Sequence, residues 1–148
     1  MREEKIEIKK LNENAIIPTY GSVDAAGADL YANTLSNEVI LPHETKLIKT
    51  GIAMSIPKGL VGLIFARSGL ASKKGLAPAN KVGVIDADYR GEIMVALHNH
   101  SNMEQSIEPN ERIAQIAFIP YVKGAFNVVD ELDDTIRGAG GFGSTGTK

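Results

Sequence analysis

The 148-residue sequence contains no cysteine. That removes thiolate nucleophiles, zinc-thiolate centres and disulfides together, and it is compatible with a reducing compartment. An excess of one charge is missing as well. Sixteen Lys and Arg stand against eighteen Asp and Glu, a formal net charge of −2 with both signs interspersed. Nothing resembles a stripe that tracks a polyanion, so long nucleic acid is not an expected partner, whereas a small anionic ligand stays open. The longest apolar runs are far too short to span a bilayer. The charged opening Met1-Arg2-Glu3-Glu4-Lys5 has no apolar stretch behind it of the kind a secretory leader needs. The expectation is a cytoplasmic protein with no membrane partner, and the length suits one domain with its own core.

What is present is short, alternating and punctuated by turns. Residues 5–9, 45–49 and 52–56 read with period two, and Pro42, Gly51, Pro57 and Gly59 fall between or beside them. Residues 60–65, 92–97, 113–119 and 126–129 are more continuously apolar and read as strands buried on both faces. Only residues 68–74 look helical, ended by Gly75. Many short strands at roughly ten-residue spacing imply an all-β fold, a jelly-roll-like barrel or sandwich with one short helix.

Polar and glycine-rich residues collect at the breaks between strands, where a rigid β scaffold usually carries its chemistry. In Asp24-Ala25-Ala26-Gly27-Ala28-Asp29-Leu30 a turn delivers the Asp29 carboxylate to the head of a strand, although a turn aspartate also bonds its own backbone. Ala66-Arg67-Ser68-Gly69-Leu70 opens the helix. Ser68 is placed as its N-cap, and Arg67 beside it gives the segment an anion-binding composition. Asn80-Lys81-Val82-Gly83-Val84-Ile85-Asp86-Ala87-Asp88-Tyr89-Arg90-Gly91 reads as a hairpin tip. Asp86 follows an apolar run, so its carboxylate is expected where solvent is partly excluded, as a general base requires, although a tip rich in Asp and Gly reads equally as a structural turn. Gln115 interrupts an otherwise apolar strand and, if buried, demands partners that could be backbone alone.

The last break is Arg137-Gly138-Ala139-Gly140-Gly141-Phe142-Gly143-Ser144-Thr145-Gly146. Its composition suits phosphate: glycines allow close backbone approach, Ser144 and Thr145 add hydroxyls, and Arg137 adds a delocalised cation. It is not a Walker loop, because Gly143 rather than Lys precedes Ser144 and no helix-length segment follows. By composition alone it reads more readily as a Gly/Ser spacer. Phe142 and Arg137 favour a flap, since a base needs something to stack on and a phosphate something to pair with.

Together, the order and content of these five segments resemble one family, the homotrimeric dUTPases or deoxyuridine triphosphate nucleotidohydrolases. The similarity runs through Ala26 to Leu30, Arg67 to Gly69, Gly83 to Gly91, Arg112-Ile113-Ala114-Gln115 and the glycine-rich tail, essentially the whole chain. The resemblance implies a distorted jelly-roll-like β-barrel over residues 1–136 and a flexible arm over 137–148 that closes on the active site. It implies Mg²⁺-dependent hydrolysis of dUTP to dUMP and pyrophosphate, with water attacking the α-phosphorus in line. Such a reaction keeps uracil out of DNA and supplies dUMP for thymidylate synthesis.

The same resemblance assigns roles. Asp86 matches the general base, and Asp29 a carboxylate near the waters of the metal. Arg67, Ser68, Gly69 and Gln115 match phosphate ligands. Asn80, Gly83, Val84 and Ile85 match the segment that reads uracil, and Tyr89 the ring that packs on the sugar and rejects a ribose 2′-hydroxyl. Arg137, Phe142, Gly143, Ser144 and Thr145 match the closing arm, with Phe142 over the base. The family form is a trimer in which each site draws on three chains. Two alternatives compete: a dCTP deaminase, disfavoured by the complete Gly-Phe-Gly tail, and a nucleotide-responsive regulatory protein, which no extra segment supports.

Overall fold

The computed structural model describes residues 3–142. Among these, twelve strands and one helix run in the order β1 (Glu7–Lys10), β2 (Thr19–Tyr20), β3 (Ala28–Tyr31), β4 (Glu38–Ile40), β5 (Thr45–Lys49), β6 (Ile52–Ser55), β7 (Leu60–Phe65), α1 (Ser68–Lys74), β8 (Leu76–Pro78), β9 (Gly83–Ile85), β10 (Met94–Asn99), β11 (Gln105–Ile107) and β12 (Arg112–Pro120). The fold is all-β with one short helix, a jelly-roll-like arrangement of antiparallel sheets. The main sheet has five strands in the order β2-β3-β12-β7-β9, and a second has the order β5-β10-β8. The pairs β1-β6 and β4-β11 complete the set.

Period two explains how the core fills. Leu30 from β3, Ile64 from β7 and Ile116 from β12 point inward from the large sheet, and Ile48, Val95 and Leu97 do so from the second. All six belong to one contiguous buried cluster. Asn99, fully buried at the end of β10, is saturated. Its amide donates to the carbonyls of Ile40 (3.0 Å) and Met103 (2.7 Å), and its Oδ1 accepts from the Ser101 N–H (2.9 Å) and hydroxyl (2.7 Å). A buried amide satisfied in this way pins the turn after β10 to β4 without a desolvation penalty.

The structure departs from several expectations. The helix spans the expected residues and ends on Gly75 in the left-handed region at φ 66°, with Lys73 and Lys74 favourably placed in its last turn. Its N-cap, however, is Arg67 and makes no side-chain capping bond, so Ser68 is the first helical residue. The strands expected to be buried on both faces instead alternate: β10 follows a strict half-buried, buried pattern, and Val61, Leu63 and Phe65 of β7 are half-buried. Residues 126–129 form no strand, and Phe126 and Val128 are fully exposed. No sheet among the described residues offers them an edge or a covering layer, so their apolar pattern finds nothing to pack on here.

Residues 80–91 are also not a laddered hairpin. β9 pairs with β7 in the large sheet, whereas β10 pairs with β5 and β8 in the other. The segment between them crosses from one sheet to the other, which explains why the apolar run at 92–97 becomes a strand only from Met94.

Gly62 marks the tightest point of the large sheet. A Cβ there would lie 3.0 Å from Ile56 Cδ1, 3.1 Å from Ile116 Cδ1 and 3.3 Å from Ile85 Cβ. Gly62→Ala is expected to destabilise by about 1 kcal/mol, the low end for overpacking, because two of the three neighbours are terminal methyls. Urea midpoints at an unchanged m value measure it; an unchanged midpoint would mean the core yields freely at this point.

Candidate functional site

The first half of the site grows from a buried carboxylate. Asp29 on β3 is only 9% exposed, and a charge so placed needs opposite charge and donors. Both oxygens are met: Arg67 Nε donates to Oδ1 at 2.8 Å, and Arg112 Nη1 donates to Oδ2 at 3.3 Å. Arg67 also reaches the Arg112 carbonyl at 3.4 Å. Two of the five guanidinium donors of Arg67 are thus committed to holding it, and the rest remain to meet an anion. Ser68 and Gly69 come directly after it and are exposed.

Register brings Gln115 to the same place. On β12 it sits opposite Asp29 of β3 on one side and Phe65 of β7 on the other. It is half-buried, and its amide donates to the Ala66 carbonyl at 2.9 Å. Its Oε1 lies 2.5 Å from where a Cβ on Gly27 would be, so the absence of a side chain at Gly27 gives Gln115 its room. Arg67, Ser68, Gly69, Gln115 and Asp29, drawn from segments far apart in sequence, are therefore one cluster. Arg112 is a member that the sequence places within a motif without marking its task. The signal was available: a buried Asp29 beside one arginine calls for a second donor.

The second half is the crossing segment. Lys81 takes a left-handed φ of 65°, and Val82 N–H bonds the Asn80 carbonyl at 2.7 Å, which makes a tight turn carrying the exposed Asn80 amide. Further on, the Tyr89 N–H bonds the Asp86 carbonyl at 3.1 Å, and Arg90 staples the turn through the carbonyls of Ala87 and Tyr89. A cavity of about 220 Å³ opens there, lined by Leu47, Val84, Ile85, Asp86, Tyr89 and Glu92 among others. Asp86 is at its rim and exposed within the single chain, not partly shielded as expected. The apolar run before it explains the difference: Gly83 is buried but Val82 and Val84 face out, so the run gives the Asp86 carboxylate no enclosure.

These halves do not meet within one chain. Ile85 sits opposite Gly62 on β7, five residues before Arg67, and five residues of extended chain span roughly 16 Å. Asp86 and Arg67 thus lie toward opposite ends of the same strand. Arg137 and Phe142 touch neither half: Arg137 bonds the Gly140 carbonyl at 2.9 Å, and Phe142 is fully exposed. Gly143, Ser144 and Thr145 lie outside the described residues. A larger groove of about 910 Å³, lined by residues such as Ile6, Tyr20, Leu60 and Phe118, contains none of the expected site residues.

Comparison with known proteins identifies the family. The profile of the dUTPase family matches residues 13–146. The chain belongs to the dUTPase family. It is similar to the deoxyuridine 5′-triphosphate nucleotidohydrolase of Nautilia profundicola, with 51% identity over 96% of this chain and 99% of the relative. The corresponding protein of Desulfitobacterium hafniense (strain DSM 10664 / DCB-2) is 48% identical over 96% of this chain and 95% of that one. Among solved structures, a mutant dUTPase of Staphylococcus bacteriophage 80alpha with dUpNHpp superposes at a TM-score of 0.89 and 29% identity, covering 98% of this chain and all of the other. Membership makes the chain an enzyme of the dUTP diphosphatase class. Among the described residues no helix is long and apolar enough to cross a membrane.

Asp29→Asn tests the cluster. It keeps one carbonyl acceptor but removes the charge that holds two guanidiniums, so Arg67 should lose its fixed position. The expected result is a KM for the nucleotide raised about tenfold, in line with one charge-assisted hydrogen bond, and a lowered Tm. Steady-state kinetics and calorimetry read the two effects separately.

Proposed function

We propose that the chain hydrolyses dUTP to dUMP and pyrophosphate by attack of water on the α-phosphorus, at sites completed between the chains of a homotrimer in the cytoplasm. The observation that carries the shared site is the separation of Asp86 from Arg67 along β7, which leaves each chain holding two incomplete halves. Exposed Val122, Phe126, Val128 and Leu132, on a segment without strand partners, support a second chain as their cover.

In this reading Asp86 orients the attacking water and accepts its proton, and exposure at a cavity rim leaves room for that water. Arg67, Ser68, Gly69 and Gln115 bind the phosphates, Ser68 near the bridge that breaks. Asn80, Gly83, Val84 and Ile85 read the base, where a wrong pyrimidine would leave polar groups unpaired. Tyr89 packs on the sugar. Arg137, Phe142, Gly143, Ser144 and Thr145 form an arm, residues 137–148, that closes over the bound nucleotide and excludes water.

The donor set constrains the metal. Among the described residues no three His, Cys, Asp or Glu converge to hold an ion, and both oxygens of Asp29 already accept from arginine. These residues fit a Mg²⁺ that arrives on the triphosphate, with Asp29 near its waters, rather than a resident ion in a protein cage. A structural Mg(II) ion is described for a mutant dUTPase from phage phi11 of S. aureus. When bound, Mg²⁺ would neutralise phosphate charge and fix the curl of the triphosphate.

Pyrophosphate release from dUTP, dCTP, dTTP and UTP with Mg²⁺ tests the reading, and only dUTP should turn over efficiently. Asp86→Asn should retain assembly and nucleotide binding but lose roughly 10²- to 10⁴-fold in kcat, the usual worth of a general base. Unaltered turnover would take Asp86 out of that role.

Truncation after Ile136 should leave an assembled protein with little activity, because none of the arm's described residues, 137–142, belongs to the core. Phe142→Ala should be milder. Base stacking is worth roughly 1–3 kcal/mol, so kcat/KM should fall about 5- to 150-fold. A truncated protein working at the full rate would make the arm a spacer.

A further inference from the structure

Tyr89 has little packing to hold it. It is 41% exposed, on a segment that crosses between sheets with no ladder of its own. What fixes its ring is one bond, from its hydroxyl to the Glu92 carbonyl at 2.9 Å. Gly91 permits this, since a Cβ there would overlap the hydroxyl and come within 2.6 Å of Tyr89 Cζ. The position of the Tyr89 ring is therefore set by the position of the Glu92 backbone.

That backbone is gripped from outside the five family segments. The Glu92 carboxylate, half-buried, accepts from the Gly51 N–H at 2.9 Å. One residue later the Thr50 hydroxyl donates to the Ile93 carbonyl at 2.5 Å, and the Ile93 N–H bonds the Ile52 carbonyl at 2.8 Å. The turn making these contacts is itself immobilised. Gly51 has φ 70°, and a Cβ on it would lie 2.6 Å from Asn33 Oδ1 and 2.9 Å from Ala15 Cβ. Its carbonyl accepts from the Leu11 N–H at 2.7 Å. Glu92 also lines the cavity that holds Asp86 and Tyr89.

We propose that Glu92 is a positioning residue for sugar selection, holding Tyr89 in place because its own carboxylate is anchored on the Thr50–Gly51 turn. This rests on the reading that Tyr89 packs on the deoxyribose. A mobile Tyr89 would leave the flanking strands β9 and β10 in place but would no longer present a fixed surface against a 2′-hydroxyl. A free Glu92 side chain, by contrast, would have no route to substrate discrimination.

The test compares kcat/KM for dUTP and UTP in wild type, Glu92→Ala, Glu92→Gln, Tyr89→Ala and the double variant Glu92→Ala/Tyr89→Ala, with Tm recorded for each. Glu92→Ala is expected to lower the dUTP-to-UTP ratio about tenfold, mainly through a higher kcat/KM for UTP, as relief of a clash with the 2′-hydroxyl does. Glu92→Gln keeps an acceptor for the Gly51 N–H and should restore most of the ratio. The double variant should discriminate no worse than Tyr89→Ala, because both changes remove the same contact.

A Glu92→Ala protein with lowered Tm and an unchanged ratio would overturn the proposal, as would losses that multiply in the double variant. If Glu92→Ala does not fold, Thr50→Val removes the neighbouring anchor instead, and an unaltered ratio there overturns it equally. A wild type that fails to hydrolyse dUTP would defeat the proposed function and this inference together. An active wild type with a ratio insensitive to Glu92 would defeat only the inference.

Discussion

Strand β12 lies between β3 and β7, and its register decides where the chemistry can be. Nine residues long, it sets Gln115 opposite Asp29 on one flank and opposite Phe65 on the other. Segments far apart in the chain therefore converge at one end of the sheet. A slip of one residue would turn every β12 side chain to the other face, putting Gln115 in the core and Ile116 outside. The buried Ala114 and Ile116 make such a slip expensive, so the hydrophobic core and the polar cluster enforce the same alignment.

The ion pairs of Asp29 work within that frame. A carboxylate with little solvent and two guanidinium partners adds only modestly to stability, because desolvating three charges offsets most of their attraction. Its effect is geometric. Arg67 stands after β7 at the start of α1 and would otherwise sample many rotamers; tied at Nε, it holds a planar donor array in one orientation. β7 then acts as a spacer, with that array beyond one end and the Asp86 segment beside the other.

Much of this was legible in the chain. The helix from Ser68 to Lys74 was readable because Gly75 ends it and Leu70 supplies its buried contact, and the long strands at 60–65 and 113–119 were readable from apolar content. What misled was the assumption that a continuous apolar run is enclosed. Residues 126–129 look like a core strand, but the partner that would enclose them is no part of the same chain's described sheets, and no local pattern encodes who supplies it. Asp86 was misjudged for a related reason, since Val82 and Val84 are apolar yet face outward. Pairing partners were equally hidden: β9 and β10 are neighbours in sequence and invite a hairpin, but each has a better edge elsewhere. Thr50, Gly51 and Glu92 carry no motif signal because their contribution is a set of bonds to backbone.

The uncovered side chains between Val122 and Ile136 have a further bearing on how the molecule is made. The barrel completes its core without them, so folding of a single chain ends with an adhesive strip still facing water. If the chains assemble as proposed, two encounters then compete for it, one orderly and one not, and both speed up with concentration. On that reading, survival of freshly synthesised chains would depend on how fast the right neighbour arrives rather than on how stable each barrel is. Crowded production and high dilution would then be the two conditions in which such a protein is lost, one to aggregates and the other to chains that never find cover.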